Sequence, residues 1–99
     1  MAALAWSGAA KAAGDPVAGK QKARMCQVCH GLDGIARQPD APNLAGESPI
    51  YLERQLKAFR AGERKDAQMS VVAKGLSDAE IANLAAWYSS IEITAKMPE

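Results

Sequence analysis

The sequence predicts an all-α domain of three main helices joined by long loops. Two stretches open with an N-cap residue followed by proline, Asp15-Pro16 and Ser48-Pro49, and a third opens with the capping box Ser77-Asp78-Ala79-Glu80. Behind these starts apolar residues recur at helical spacing, as in Leu52, Leu56 and Phe59. No run of strand length alternates apolar and polar residues.

In chain order, residues 1–13 combine an apolar start, Leu4 to Trp6, with the small residues Ser7 to Ala10, and read as a tail or a signal-peptide remnant. The folded domain is expected over residues 14–99. The first helix is expected from Pro16 to the Cys26 region, with Gly19, Ala23 and Cys26 on one face. Gly31, Gly34, Pro39, Pro42 and Gly46 make residues 31–47 a loop. The second helix is expected from Pro49 to Ala61, stopped by Gly62, with Glu53 and Lys57 paired on its outer face. A charged connector, Arg60 to Asp66, leads to a short helical turn from Met69 to Gly75. The last helix is expected to bury Ile81, Leu84, Ala85, Tyr88 and Ile91, with Leu76 and Ile81 as a hydrophobic staple.

Ninety-nine residues make one core. Much of the 48% hydrophobic content is alanine; the larger aliphatics are seven Leu, five Ile and four Val, with a single Phe. That inventory is thin against the entropy of ordering the backbone, and a buried prosthetic group would supply the missing apolar mass. A net charge of +1 gives no basic field for nucleic acid. No apolar run approaches the roughly 20 residues of a membrane span.

Cys26-Gln27-Val28-Cys29-His30 has the C-x-x-C-H form of a c-type haem attachment site. Two thiols one helical turn apart suit thioethers to the two vinyl groups of one haem, and the adjacent histidine supplies an axial nitrogen. A thioredoxin-like redox motif would need strands around it. A zinc site would need four ligands, and His30 is the single histidine beside two cysteines. A sixth ligand would come from the far side, where methionine sulfur raises the potential. Met25 abuts the motif, Met1 lies in the tail and Met97 near the C-terminus; Met69 has enough chain before it to cross the haem edge, the alternative being a core-filling role. A backbone carbonyl of the Ala41-Pro42-Asn43-Leu44 loop is the candidate acceptor for the other ring proton of His30, against an ordinary proline turn.

These residues, with Gly31, Asp33-Gly34, Pro42-Asn43-Leu44-Ala45-Gly46, Tyr51-Leu52, Gln55-Leu56, Phe59, Gly62, Arg64, Met69 and Leu76-Ser77-Asp78, make the chain resemble a class I bacterial cytochrome c. The resemblance is to the small c553 type or to one half of the dihaem c4 type, and it spans residues 14–91. It implies a fold of three main helices and loops wrapped around one covalent haem c, borne by Cys26 and Cys29 with His30 and Met69 as axial ligands. It further implies that the Pro42 carbonyl receives the His30 proton, that Leu44 packs on the proximal side, and that Gly19 lies where the first and last helices cross, near Leu84 and Trp87 or Tyr88. One haem motif in the chain removes the two-haem relay of the c4 type unless two chains associate. Tyr51 and Gln55, four apart on one helix, are candidates to face the haem pocket, and Arg64 to pair with a propionate; solvated positions are the alternative for each. Arg54, Lys57, Arg60, Arg64 and Lys65 form a locally basic surface.

The resulting expectation is a non-enzymatic, periplasmic, one-electron Fe(III)/Fe(II) shuttle. It would work between redox partner proteins, a donor dehydrogenase or cytochrome complex and an acceptor oxidase or reductase, as a monomer or weak dimer with no nucleic-acid partner and no membrane span. The alternatives are a cytochrome subunit docked on a dehydrogenase, or a haem peroxidase or gas sensor with an open sixth position.

Overall fold

The computed structural model describes residues 14–99, so the tail or remnant expected over residues 1–13 lies outside the described residues. Among the described residues five α-helices follow in order: α1 Pro16–Lys22, α2 Gln27–His30, α3 Pro49–Ala61, α4 Met69–Lys74 and α5 Asp78–Ser90. A 3-10 turn, Ala23–Met25, links α1 to α2. The first helix therefore tightens before Cys26, and the attachment motif has a helical turn of its own.

Local chemistry sets each start. The Asp15 carboxylate accepts from the Val17 N–H at 2.9 Å, ahead of Pro16. Ser48 Oγ accepts from Tyr51 N–H at 3.3 Å. At α5 the capping box closes both ways, Glu80 N–H to Ser77 Oγ at 3.1 Å and Ser77 N–H to the Glu80 carboxylate at 2.9 Å. Gly62, at φ +79°, ends α3 in the left-handed conformation that glycine adopts without a steric cost.

The core joins the 3-10 turn after α1, helix α3, the link before α5 and α5 itself through Ala23, Leu52, Leu76, Ile81, Leu84, Ala85 and Tyr88. Cys26, Leu32, Leu44, Leu56, Trp87 and Ile91 pack against it, half-buried. Ile81 is fully buried, which contributes about 2 kcal/mol of transfer free energy. Where α1 crosses α5, a Cβ on Gly19 would lie 2.9 Å from Trp87 Cβ and closer still to the Asn83 carbonyl. The backbones meet because Gly19 has no side chain; the nearest facing residues are Asn83 and Trp87. The Asp15 N–H donates to Asn83 Oδ1 at 2.8 Å beside the same crossing.

The ion pairs among the described residues bind elements to one another. Lys22–Glu80 at 3.0 Å joins α1 to α5, Arg60–Asp78 at 2.6 Å joins α3 to α5, and Arg37–Asp33 at 3.3 Å lies in the loop. The expected Glu53–Lys57 pair is not among them. Lys57 instead adds to the positive field around Asp78.

Candidate functional site

Cys26 is the N-cap of α2 and Cys29 lies within it, so both sulfurs issue from one turn, tied by His30 N–H to Cys26 carbonyl at 2.9 Å. Both are free thiols and half-buried. Burial pushes the Cys26 thiol up to about 11, against a downward pull from Lys22. A thioether at that position stays neutral, as burial there favours.

His30 is buried, 8% exposed. Its Nδ1 lies 2.9 Å from the Pro42 carbonyl oxygen. A carbonyl only accepts, so this contact puts the ring proton on Nδ1 and leaves the Nε2 lone pair available to a metal. The loop carrying Pro42 is folded back by its own backbone. Leu44 N–H and Ala45 N–H donate to the Gly34 carbonyl at 2.7 and 3.1 Å, and Ala36 N–H donates to Asn43 Oδ1 at 2.7 Å. Gly34 has φ +77°, and a Cβ there would meet the Ala45 backbone nitrogen at 2.5 Å, so the turn needs glycine. Leu44 reaches the core from this loop.

Helix α5 clamps the chain just after His30. The buried Tyr88 hydroxyl donates to the Gly31 carbonyl at 3.0 Å, and Trp87 Nε1–H donates to the Leu32 carbonyl at 2.9 Å. Burial holds the Tyr88 phenol above its ordinary range. Sequence reasoning placed both aromatics in the packing and missed these bonds, whose partners lie 55 and 57 residues away.

Met69, half-buried, heads α4. The preceding residue, Gln68, brings Oε1 to 3.8 Å from Cys29 Sγ, across 39 residues of chain. The start of α4 therefore lies beside the second attachment thiol. Tyr51 is exposed. Gln55 is half-buried and accepts from Arg64 Nη1–H at 2.7 Å, while the Arg64 guanidinium lies 4.7 Å from the Phe59 ring centroid. The structure brings Gln55 and Arg64 together and engages the guanidinium within the chain. Arg60 turns toward Asp78 and the Leu76 carbonyl, at 2.6 and 3.1 Å, so the expected basic surface loses one member.

The donor set fits an iron porphyrin. Two thiols lie on one turn, a buried imidazole keeps Nε2 available, and Met69 heads α4, whose preceding residue reaches Cys29. No group of three or more His, Cys, Asp or Glu side chains among the described residues is placed to hold a metal ion, so the zinc alternative lacks a ligand set.

The Cytochrome c family model matches residues 16–92. The chain is 51% identical over 83 residues to cytochrome c-554(548) of Halomonas halodenitrificans, covering 81% of this chain and 100% of that protein. It is 37% identical over 97 residues to the thiosulfate dehydrogenase electron acceptor of Thiomonas intermedia, covering 97% of this chain and 43% of that protein. The crystal structure of reduced recombinant cytochrome c4 from Pseudomonas stutzeri matches with a TM-score of 0.75 at 37% identity, over 81% of this chain and 47% of that one. The chain thus spans the whole Halomonas protein and less than half the length of the other two. It belongs to the cytochrome c family, with the class I fold and covalently attached haem c, and is an electron-transfer protein rather than an enzyme.

Proposed function

We propose that residues 14–99 form a one-haem periplasmic electron carrier, with Cys26 and Cys29 as the thioether positions and His30 and Met69 as the axial ligands. When bound, the haem supplies a one-electron Fe(III)/Fe(II) couple. The observation that carries the reading is the 3.8 Å approach of Gln68 to Cys29, which sets the start of α4, and with it Met69, against the attachment turn. The Pro42 carbonyl fixes the His30 ring in one tautomer and one orientation. A ligand held this way keeps its place in both oxidation states, which keeps reorganisation small. Leu44 fills the space behind that loop, and Gln55 and Arg64 present a bonded polar pair from α3 and the connector after it.

Met25 and Val28 flank Cys26 in sequence and are 46% and 69% exposed. They offer a partner protein an apolar landing beside the attachment thiols. The name of the Thiomonas relative supports a dehydrogenase as the class of donor. The same similarity favours the second reading, a carrier docked on such an enzyme, and co-purification from the native source distinguishes a stable complex from a free carrier. No helix among the described residues is long and apolar enough to cross a membrane.

The test is Met69→Ala in the holoprotein. The variant should lose the sulfur-to-iron charge-transfer band, show a lower potential and bind carbon monoxide rapidly in the ferrous form. Met97→Ala, at an 80% exposed position, should leave the spectrum alone. An unchanged band in Met69→Ala refutes the ligand assignment.

A further inference from the structure

We propose that Asp66 is the positioning residue for Met69, holding the start of α4 so that the sulfur is kept in place against competing ligands. The inference rests on the reading of Met69 as the axial ligand. Helix α4 has six residues, too few to hold itself in water. Its two ends are fixed differently. The C-terminal end is anchored by Ala73, 0% exposed, and by the buried Leu76 just beyond it. At the N-terminal end Met69 and Ser70 are half-buried, Val71 is exposed, and every residue from Ala61 to Gln68 is exposed. Packing therefore leaves that end weakly fixed, at the residue where position matters.

Asp66 supplies the missing constraint. Its Oδ2 accepts from the N–H groups of Gln68 and Met69, at 3.0 and 2.9 Å. Both are amides at a helix start with no carbonyl inside the helix to bond to. Asp66 is itself held on two sides, its N–H donating to Ser70 Oγ at 3.0 Å and its carbonyl accepting from Ser70 N–H at 3.1 Å. The Gln68 side chain makes no cap bond to α4 and is directed to Cys29. The carboxylate of Asp66 thus acts on the backbone of Met69 itself.

The test compares imidazole binding to the ferric holoprotein, the charge-transfer band and the potential in Asp66→Ala, Asp66→Asn, Ser70→Ala and Met69→Ala. Asp66→Ala should bind imidazole about fivefold more tightly than the parent, the equilibrium weight of one lost cap, with a weaker band and a lower potential. Asp66→Asn keeps an acceptor oxygen and should restore the parent's imidazole affinity. Ser70→Ala removes only the hydroxyl that accepts from Asp66 and should move affinity the same way by about twofold. Ser77→Ala, a lost cap at the distant start of α5, should lower the melting temperature without changing imidazole binding. If Met69→Ala removes the band while Asp66→Ala and Ser70→Ala bind imidazole like the parent, the positioning role is refuted and the ligand assignment stands. If Met69→Ala leaves the band intact, the ligand assignment fails and the proposal with it.

Discussion

His30 and Met69 lie on parts of the chain that are held by different means. The segment after His30 is tied to α5 by bonds that span 55 and 57 residues, from Trp87 and Tyr88, and the His30–Pro42 contact spans 12. Around Met69 the polar bonds span two to four residues, between Asp66 and Ser70, and one contact, Gln68 to Cys29, reaches across the fold. The imidazole is therefore built into the same packing that folds the domain. The methionine sits on a locally closed turn at the end of an exposed connector. Substitutions on the histidine side should register first as stability, and those on the methionine side as ligand exchange and potential.

The strongest way to break that contrast is Gly19→Val. Its branches would enter the Asn83 carbonyl and the Trp87 Cβ, so α1 and α5 must separate. A cost of about 3 kcal/mol is expected from overpacking at a backbone contact, read as the denaturant midpoint of the ferric holoprotein. Tyr88→Phe comes next. It keeps the ring and removes the hydroxyl, leaving the Gly31 carbonyl without that donor in a buried setting. About 1–3 kcal/mol should be lost, while the charge-transfer band persists in the folded protein. Ser77→Ala removes the hydroxyl that caps α5 and should cost about 1 kcal/mol. If Tyr88→Phe instead changed imidazole affinity as much as Asp66→Ala, the division between the two sides would be wrong.

What was legible in the sequence follows the same division of ranges. Asp15-Pro16, Ser48-Pro49, the Ser77–Glu80 box and the stop at Gly62 are all satisfied within four residues, so their signals lie in adjacent letters. The C-x-x-C-H motif was legible for that reason too. The Trp87 and Tyr88 bonds were not, because helical periodicity says that an aromatic is buried and not which distant carbonyl its polar tip reaches. Gly19 was placed at the right crossing and beside Trp87, but the Asn83 carbonyl it meets most closely was not foreseen, since a residue's partner on a facing helix depends on the crossing geometry. Glu53 and Lys57 were at pairing distance in sequence, yet Lys57 acts on Asp78 across an interface. Asp66 was local and could have been found: an aspartate three residues before the first helical methionine is a cap signal, hidden in a connector that read as merely charged.

Acid offers the mildest perturbation of the histidine side, because the start of α5 is held by charges at the surface. Ser77 N–H, and then Lys22, hold the Glu80 carboxyl below its ordinary range, and the Arg60 guanidinium does the same for Asp78. A native carboxyl of lowered pKa binds its proton less readily than in the unfolded chain. Its stabilisation is fully present above the unfolded value, near 4 for carboxylates, and is lost as pH falls through the lower native value. The holoprotein should therefore lose stability progressively below about pH 4.5, and Glu80→Gln should flatten that slope while lowering stability slightly at pH 7. Asp78 is exposed and Glu80 only half-buried, so solvent screens both and the effect should be smaller than that of Ser77→Ala. Thermal melts of the two proteins between pH 3 and 7 decide it. Parallel slopes would mean that Glu80 contributes its cap without its charge, and that the α1–α5 junction is held by packing and by the Asp15–Asn83 hydrogen bond.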